Sequence, residues 1–104
     1  MNIPVIIRPA AELDLQDAFN RSDGIEPGLG LRLLLNVDRI VATLESLPFV
    51  FPLTYRNVRR AIVPHSPYLL FHVTFPTRVV VIACFSGHRD PRWIRRSLKR
   101  RQGA

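Results

Sequence analysis

The sequence predicts a small α+β domain, in which two N-terminal helices pack on one face of a small curled antiparallel sheet. Three observations lead to this fold class. A long amphipathic pattern fills residues 28–47, three strand-like runs follow one another between residues 58 and 85, and a short basic helix is expected from Pro91. Helices and strands that are segregated along the chain in this way are typical of α+β folds.

The first half of the chain predicts one strand and two helices. The run IPVIIR, residues 3–8, is rich in β-branched residues and predicts a strand that Pro9 breaks. Pro9 suits the first turn of a helix that continues to Ser22 and stops at Asp23-Gly24. Aliphatic residues then recur at every third or fourth position from Gly28 to Leu47, which predicts the second helix.

The second half predicts a three-stranded meander followed by a helix. Pro48 and Pro52 end the second helix and lead to VRRAIV at 58–63, YLLFHVTF at 68–75 and RVVVIACF at 78–85. The short spacers PHSP and Pro76-Thr77 predict two successive hairpins. The third run is almost entirely apolar, which indicates a central strand.

Length and composition limit the classes of protein that are possible. The 104 residues allow one hydrophobic core, so we expect a single domain over residues 1–98 and a mobile basic tail over 99–104. The 47% hydrophobic content argues against a disordered chain, and no apolar run approaches the roughly 20 residues that span a bilayer. Acidic residues come too early for a signal peptide, so we expect a cytoplasmic protein with no membrane partner. Cys84, alone and in an apolar run, predicts a small core residue.

Charge is distributed unevenly between the two halves. Residues 1–52 hold four basic and seven acidic side chains, a net charge of −3, whereas residues 53–104 hold eleven basic and one acidic, a net charge of +10. Fourteen of the fifteen basic residues are arginine, which binds phosphates and carboxylates through paired hydrogen bonds. This distribution predicts one surface that attracts polyanions or an acidic protein.

The stretch SGHRDPRWIRRS, residues 86–97, joins the last strand to the basic helix. Asp90 followed by Pro91 predicts an N-cap and the first helical position. We expect Trp93 to pack its ring on the sheet, and we expect Arg59 and Arg60 to point to opposite faces of their strand. His65 and His72 have no neighbours at ligand spacing, so we expect neither a metal nor a cofactor.

Short motifs also follow one another at the junctions of the predicted elements. They are Ala11-x-x-Asp14-Leu15 on the first helix, Leu47-Pro48 after the second, an arginine (Arg59 or Arg60) entering the next strand, Pro67-Tyr68-Leu69-x-Phe71, and His88-x-Asp90-Pro91-x-Trp93. Each motif alone has low specificity. Their order and spacing over roughly residues 3–96 resemble the RelE/ParE toxin superfamily.

This resemblance implies the toxin of a type II toxin–antitoxin module, such as those that stabilise plasmids, neutralised by a small antitoxin. We expect that antitoxin to be acidic, given the charge of the second half of the chain. RelE-like members cut messenger RNA on the ribosome, whereas ParE-like members act on DNA gyrase and lack the nuclease residues. The HRDPRW ending resembles the ParE-like branch, so we expect growth arrest through gyrase inhibition.

Two alternatives stay open on the sequence alone. In a ribosome-dependent mRNA endonuclease, His88 would be the catalytic acid or base and Arg59 would hold the phosphate. The nuclease branch usually carries a tyrosine or a second histidine near the chain end, and Trp93 does not replace it. A basic nucleic-acid-binding module is the other alternative. The residues that we expect to contact the target are Arg60, Arg78, Arg89, Arg92, Trp93 and Arg96.

Overall fold

The computed structural model describes residues 2–102 as three helices and five strands. The elements in chain order are β1 (Val5–Ile7), α1 (Pro9–Ile25), α2 (Leu29–Ser46), β2 (Leu53–Tyr55), β3 (Val58–Ile62), β4 (Tyr68–Phe75), β5 (Arg78–Ser86) and α3 (Pro91–Gln102). The predicted α+β class and the packing of two N-terminal helices on one face of a sheet are confirmed. Among residues 2–102, no helix combines the length and apolar character that a membrane span requires.

The sheet has the strand order β1-β5-β4-β3-β2 and is mixed rather than wholly antiparallel. Strands β2 to β5 form the predicted antiparallel ladder, but β1 pairs in parallel with β5, with Val5 beside Val79. The prediction of an antiparallel sheet was therefore wrong at this one edge. Strand β5 is apolar along almost its whole length, and β1 covers the free edge of its first residues. The three-residue β2 is too short to give a periodic signal and was not predicted.

The α1–α2 hairpin supplies the core on one side of the sheet. Leu33, Val37, Ile40 and Leu44 line the buried stripe of α2, as the helical spacing predicts. Helix α1 continues beyond the expected stop at Asp23-Gly24 to Ile25. The Asp23 carboxylate instead accepts hydrogen bonds from the amides of Gly28 (3.0 Å) and Gly30 (3.2 Å), at the start of α2. Asp23 therefore stabilises the second helix from the first.

Helix α3 covers the face of the sheet opposite the α1–α2 hairpin. Leu98 is fully buried there, and Trp93 and Ile94 pack beside it against Phe71 and Phe85. The residues that were expected to begin a mobile tail, 99–102, form the last turn of α3, while 103 and 104 lie outside the described residues. The sequence did not indicate a helix over 99–102, because the three consecutive basic residues 99–101 obscured its apolar spacing.

A β-bulge in β5 determines which of its residues face α3 and which face the α1–α2 hairpin. Phe71 of β4 pairs with Ala83 while His72 pairs with Val81, so Ile82 is the extra residue. As a result, Ile82 and Ala83 both face the α3 side, and Cys84 faces the α1–α2 side. Burial raises the pKa of the Cys84 thiol to about 12, as suits an inert core residue.

His72 is a buried polar residue in the middle of this core. It is fully buried, and its ring meets Phe51 edge-on at 5.8 Å between centroids. Burial lowers the pKa of His72 to about 4, and the positive charge of Arg59 acts in the same direction. The Leu70 carbonyl opposes this effect, yet neither ring nitrogen of His72 makes a hydrogen bond of normal geometry.

The stability of the fold should therefore fall on mild acidification. The unfolded chain takes up the His72 proton near pH 6.5, but the folded chain does so only near pH 4. Stability is complete above about pH 6.5 and is lost as the pH falls toward 4, with a loss of about 2 kcal/mol between pH 7 and pH 5. Urea unfolding at a series of pH values measures this, and His72→Leu should remove most of the dependence.

The exposed His88 provides the matched control, since His88→Gln also removes one histidine but leaves the buried ring of His72 in place. An identical slope between pH 7 and pH 5 in the wild type and in His72→Leu would contradict the assignment to His72.

Candidate functional site

Helix α3 begins at a well-formed N-terminal cap. The Asp90 carboxylate accepts a hydrogen bond from the Arg92 amide at 2.8 Å, and Pro91 takes the first helical position. The Arg92 guanidinium also contacts Asp90 at 3.2 Å. The side-chain and backbone hydrogen bonds from Arg92 lower the pKa of Asp90. This arrangement accounts for the carboxylate at position 90 as a structural group.

The other end of α3 is held by an ion pair that crosses the fold. The Arg101 guanidinium donates two hydrogen bonds to the Asp14 carboxylate of α1, and both side chains are largely buried. The same carboxylate accepts the amide hydrogen of Cys84 at 3.0 Å. Arg101 also donates to the Ile82 carbonyl at 3.1 Å and stacks on the ring of Phe85.

These contacts provide hydrogen-bond partners for backbone groups of β5 beyond the residues that pair with β1. β1 pairs only with Val79–Val81, and the bulge turns the next outward-facing groups, the Ile82 carbonyl and the Cys84 amide, toward the gap. Arg101 donates to this carbonyl and Asp14 accepts from this amide, so both backbone groups are paired. This matters because unpaired buried backbone groups are costly. The ion pair therefore fixes α1, β5 and α3 relative to one another.

With its C-terminal end fixed, α3 turns its basic residues outward. Its exposed basic side chains are Arg92, Arg95, Arg96, Lys99 and Arg100. We call these five residues the basic face. Among residues 2–102, the basic face has one ion pair, that of Arg92 with Asp90, so most of its charge is available to a partner.

A groove of 170 Å³ lies between α3 and strands β3 and β4, and we call it the inner groove. Arg60, Arg89 and Arg95 line it together with the hydroxyl-bearing side chains of Thr54 and Tyr55. Its apolar lining comes from Leu69, Phe71, Ile94 and Leu98. The combination of three guanidinium groups and an apolar lining suits an anionic ligand that also carries an apolar or planar group.

A second groove, of 330 Å³, follows the uncovered edge of β5, and we call it the edge groove. Its polar lining is mixed in charge and consists of Asp14, Asp17, Arg21, Tyr68, Arg89 and Arg101. Burial raises the pKa of Tyr68, so its hydroxyl stays protonated at neutral pH. Asp17 and Arg21 pair with each other at 2.8 Å, and Asp14 pairs with Arg101, so little net charge remains here.

Arg89 stands on the ridge between the two grooves and lines both. Its guanidinium lies over the Trp93 ring at 4.1 Å from the centroid, and that ring meets Phe85 at 4.8 Å between centroids. This stack holds an exposed arginine in a defined position through a half-buried indole. Arg89 and Trp93 are therefore two predicted contact residues that stack on each other.

Comparison with solved structures places this geometry in a known fold. A chain of the chromosomal ParDE TA system from P. aeruginosa superposes with a TM-score of 0.70 at 12% identity, covering 81% of this chain and 95% of that chain. An arginine double mutant of E. coli toxin RelE in the free state gives the same TM-score and identity, with 96% and 98% covered. The chain has the fold of the RelE and ParE toxins. No family model and no curated protein matches the sequence.

The resemblance drawn from the motifs is thus confirmed at the level of the RelE/ParE fold. Of the predicted contact residues, Arg60 and Arg89 meet in the inner groove, Trp93 supports Arg89, and Arg92 and Arg96 lie on the basic face. Arg78 lies elsewhere. It stacks on Phe75 at the start of β5, eight residues and roughly 26 Å along the strand from Ser86.

The two residues predicted for a nuclease site are not brought together. Arg59 faces away from Arg60 and donates hydrogen bonds to the carbonyls of Phe49 (3.3 Å) and Phe51 (2.7 Å). Through the ladder Arg59 is level with Val81, whereas His88 follows the end of β5, at least five residues or roughly 16 Å further on. His88 is exposed and lines neither groove.

Sequence reasoning missed three residues of this region. Asp14 was quoted in a motif without a role, Arg101 was assigned to the tail, and Arg95 was passed over. The spacing Ile94, Leu98, Arg101 at four and three residues is helical and could have revealed the length of α3. Within residues 2–102, no three histidine, cysteine or acidic side chains are grouped as a metal site would require.

Proposed function

We propose that this protein is the toxin of a type II toxin–antitoxin module and acts in the cytoplasm. The observation that carries the proposal is the outward-turned basic face of α3 on a chain with the RelE/ParE fold. A +10 half-chain whose charge is concentrated beside two grooves favours contact with a polyanionic or acidic target. The module would include a small acidic antitoxin that neutralises the toxin.

DNA gyrase is the target that we propose. The basic face is an exposed, outward-facing array of arginines, which suits docking onto a large partner more than enclosing a small substrate. The two residues that the sequence predicts for a nuclease site, His88 and Arg59, are separated along the sheet. Inhibition by binding requires no proton transfer, so this separation is compatible with it.

The inner groove favours one alternative, a ribosome-dependent mRNA endonuclease. There Tyr55 lies beside Arg60, Arg89 and Arg95. A hydroxyl that can transfer a proton, next to guanidinium groups that can hold a phosphate, is a combination that RNA cleavage can use. In this alternative Tyr55, rather than His88, would transfer the proton, and the three groove arginines, rather than Arg59, would hold the phosphate.

Expression of the protein alone should arrest bacterial growth, and co-expression of the small protein from the adjacent reading frame should restore it. The assay is viable count and optical density after induction, with soluble protein verified by gel filtration. Normal growth while folded protein accumulates would contradict the toxin assignment. Arrest that the neighbouring protein does not relieve would contradict the antitoxin assignment.

Substitutions should then separate gyrase inhibition from RNA cleavage. The charge reversals Arg92→Glu and Arg96→Glu should weaken arrest strongly, because they disturb a docking surface, whereas Tyr55→Phe and His88→Ala should leave it largely intact. For a nuclease the order reverses, since the loss of a general acid or base typically costs about 100-fold to 10,000-fold in rate.

Arrest is compared at matched protein level, together with DNA-damage induction and protein synthesis soon after induction. Arg78→Glu supplies the control, since it makes the same change of charge away from the basic face, and it should leave arrest intact. Loss of arrest in Tyr55→Phe or His88→Ala, with an immediate halt of translation and no DNA damage in the wild type, would show the gyrase assignment to be wrong.

A further inference from the structure

Exposed apolar side chains are concentrated in residues 47–53, which run from the end of α2 to the first residue of β2, and we call this segment the apolar loop. Four of its seven residues are more than half exposed, namely Leu47, Phe49, Val50 and Leu53. Single exposed apolar residues are ordinary in folded proteins, whereas several together indicate a surface that another molecule covers. The apolar loop is therefore a candidate interaction surface.

Groups of the sheet hold the backbone of the apolar loop in place. The Thr74 hydroxyl of β4 donates a hydrogen bond to the Pro48 carbonyl at 2.7 Å. The Arg59 guanidinium of β3 donates to the carbonyls of Phe49 and Phe51. A backbone fixed in this way keeps the outward side chains in one arrangement, which lowers the conformational entropy that binding would cost.

The two phenylalanines of the apolar loop face opposite ways. Phe51 points inward, where it packs against the core on the α1–α2 side and meets the His72 ring edge-on. Phe49 points outward and is 59% exposed, with the Arg59 guanidinium 5.3 Å from its ring centroid. Because the backbone is held and Phe51 fills the inward position, burial of Phe49 and Val50 requires a partner.

Positive charge flanks the apolar loop. Between Glu45 and Asp90 the sequence has no acidic residue, although it has five arginines there. Arg56, in the β2–β3 turn, is exposed and lies over the Tyr55 ring at 5.2 Å from the centroid. Glu45 is the nearest acidic residue in the sequence, and it is half-buried on the last turn of α2. The apolar loop is therefore complementary to an apolar pocket that carries acidic groups on its rim.

The apolar loop continues into the inner groove and the basic face. Leu53 and Thr54 are neighbours on β2, which is an edge strand of the sheet. Thr54 lines the inner groove, and Arg95 lines the same groove from α3 and belongs to the basic face. The three surfaces thus follow one another around this edge, so a single large partner can contact all of them. An apolar centre with a charged rim is the usual anatomy of a protein–protein interface.

We propose that the apolar loop enters an acid-rimmed apolar pocket on the same protein target that the basic face contacts, an inference that rests on the proposed function. Phe49 and Val50 would be buried in the pocket, and Leu53 would lie at its edge. Arg56 would face an acidic group on the rim. The apolar loop would supply most of the affinity, because large buried side chains at the centre of an interface contribute more than charges at its rim.

The chemistry of the apolar loop favours a protein pocket over other partners. Val50 and Leu53 are aliphatic and would gain nothing from the phosphates of a nucleic acid, and one face of the Phe49 ring is already covered by Arg59. A second copy of the chain would bring its own flanking arginines against these, with no acidic residue between Glu45 and Asp90 to pair with them.

The double substitution Phe49→Ser/Val50→Ser tests the inference. Its matched control is Leu31→Ser/Leu35→Ser, which removes two apolar side chains of α2 that are equally exposed, at 58% and 52%. The probe is purified DNA gyrase, with its Kd measured by calorimetry. The loop variant should bind gyrase about tenfold more weakly or worse and should arrest growth less at matched protein level, whereas the control should bind gyrase and arrest growth like the wild type.

Two further variants test the hold on the apolar loop and the acidic rim. Thr74→Val keeps every exposed side chain but removes the hydrogen bond to the Pro48 carbonyl, so it should weaken gyrase binding by a smaller factor than the loop variant. Arg56→Glu should slow association with gyrase, most strongly at low salt, whereas Arg78→Glu on the α3 side of the sheet should not. Unchanged thermal unfolding midpoints establish that all variants are folded.

The outcomes separate this inference from the proposed function. If the loop variant binds gyrase like the wild type while Arg92→Glu/Arg96→Glu does not, the inference is wrong and the proposed function stands. If the wild type arrests growth without binding gyrase, the gyrase assignment is wrong, and full arrest by the loop variant would then overturn the inference as well. A wild type that neither binds gyrase nor arrests growth would contradict both.

Two results would assign the apolar loop to another partner and so overturn the inference. A dimer of the wild type in gel filtration that the loop variant does not form, with gyrase affinity kept, would make the apolar loop a contact between copies of the chain. Loss of relief by the small protein from the adjacent reading frame, with gyrase affinity and arrest kept, would make it an antitoxin contact.

Discussion

Asp14 and Arg101 meet at the point where β1 ends and the edge of β5 opposite β4 continues without a paired strand. One carboxylate and one guanidinium there satisfy the backbone of Ile82 and Cys84 and pair with each other across 87 positions of sequence. Removing either group would leave the other, partly buried charge without its partner and would also leave one backbone group unpaired, and both changes are costly. The position of α3, and with it the direction of the basic face, depends on this contact.

Exposed arginines lie on two different helices, α2 and α3. The α3 side carries the basic face, with Arg89 fixed on Trp93 between the inner and edge grooves. The outer surface of α2 combines exposed leucines with Arg32 and Arg39. The α1–α2 hairpin and α3 share one sheet but pack on its two faces through separate core clusters. This small domain therefore presents two separate surfaces on the two sides of its sheet.

The parts of the fold that depend on local pattern could be predicted from the sequence. Strand β4 matched its predicted span, and β5 and α2 agreed to within one residue, because long apolar runs and helical spacing are strong local signals. The parallel pairing of β1 and the existence of β2 could not be predicted, since three residues carry no periodicity. Only part of the site could be predicted from the sequence. The arginines near Trp93 form an evident cluster in the sequence, but the Asp14–Arg101 contact has no local signature.

Hydrogen exchange of the Asp14→Ala variant tests most directly whether this ion pair holds the basic face in place. Backbone amides of α3 should exchange much faster than in the wild type, while those of the central strands β4 and β5 before the bulge stay protected, and growth arrest should weaken in parallel. Unchanged protection of α3 together with full arrest would contradict this role of the ion pair, because α3 would then keep its position without the Asp14–Arg101 contact.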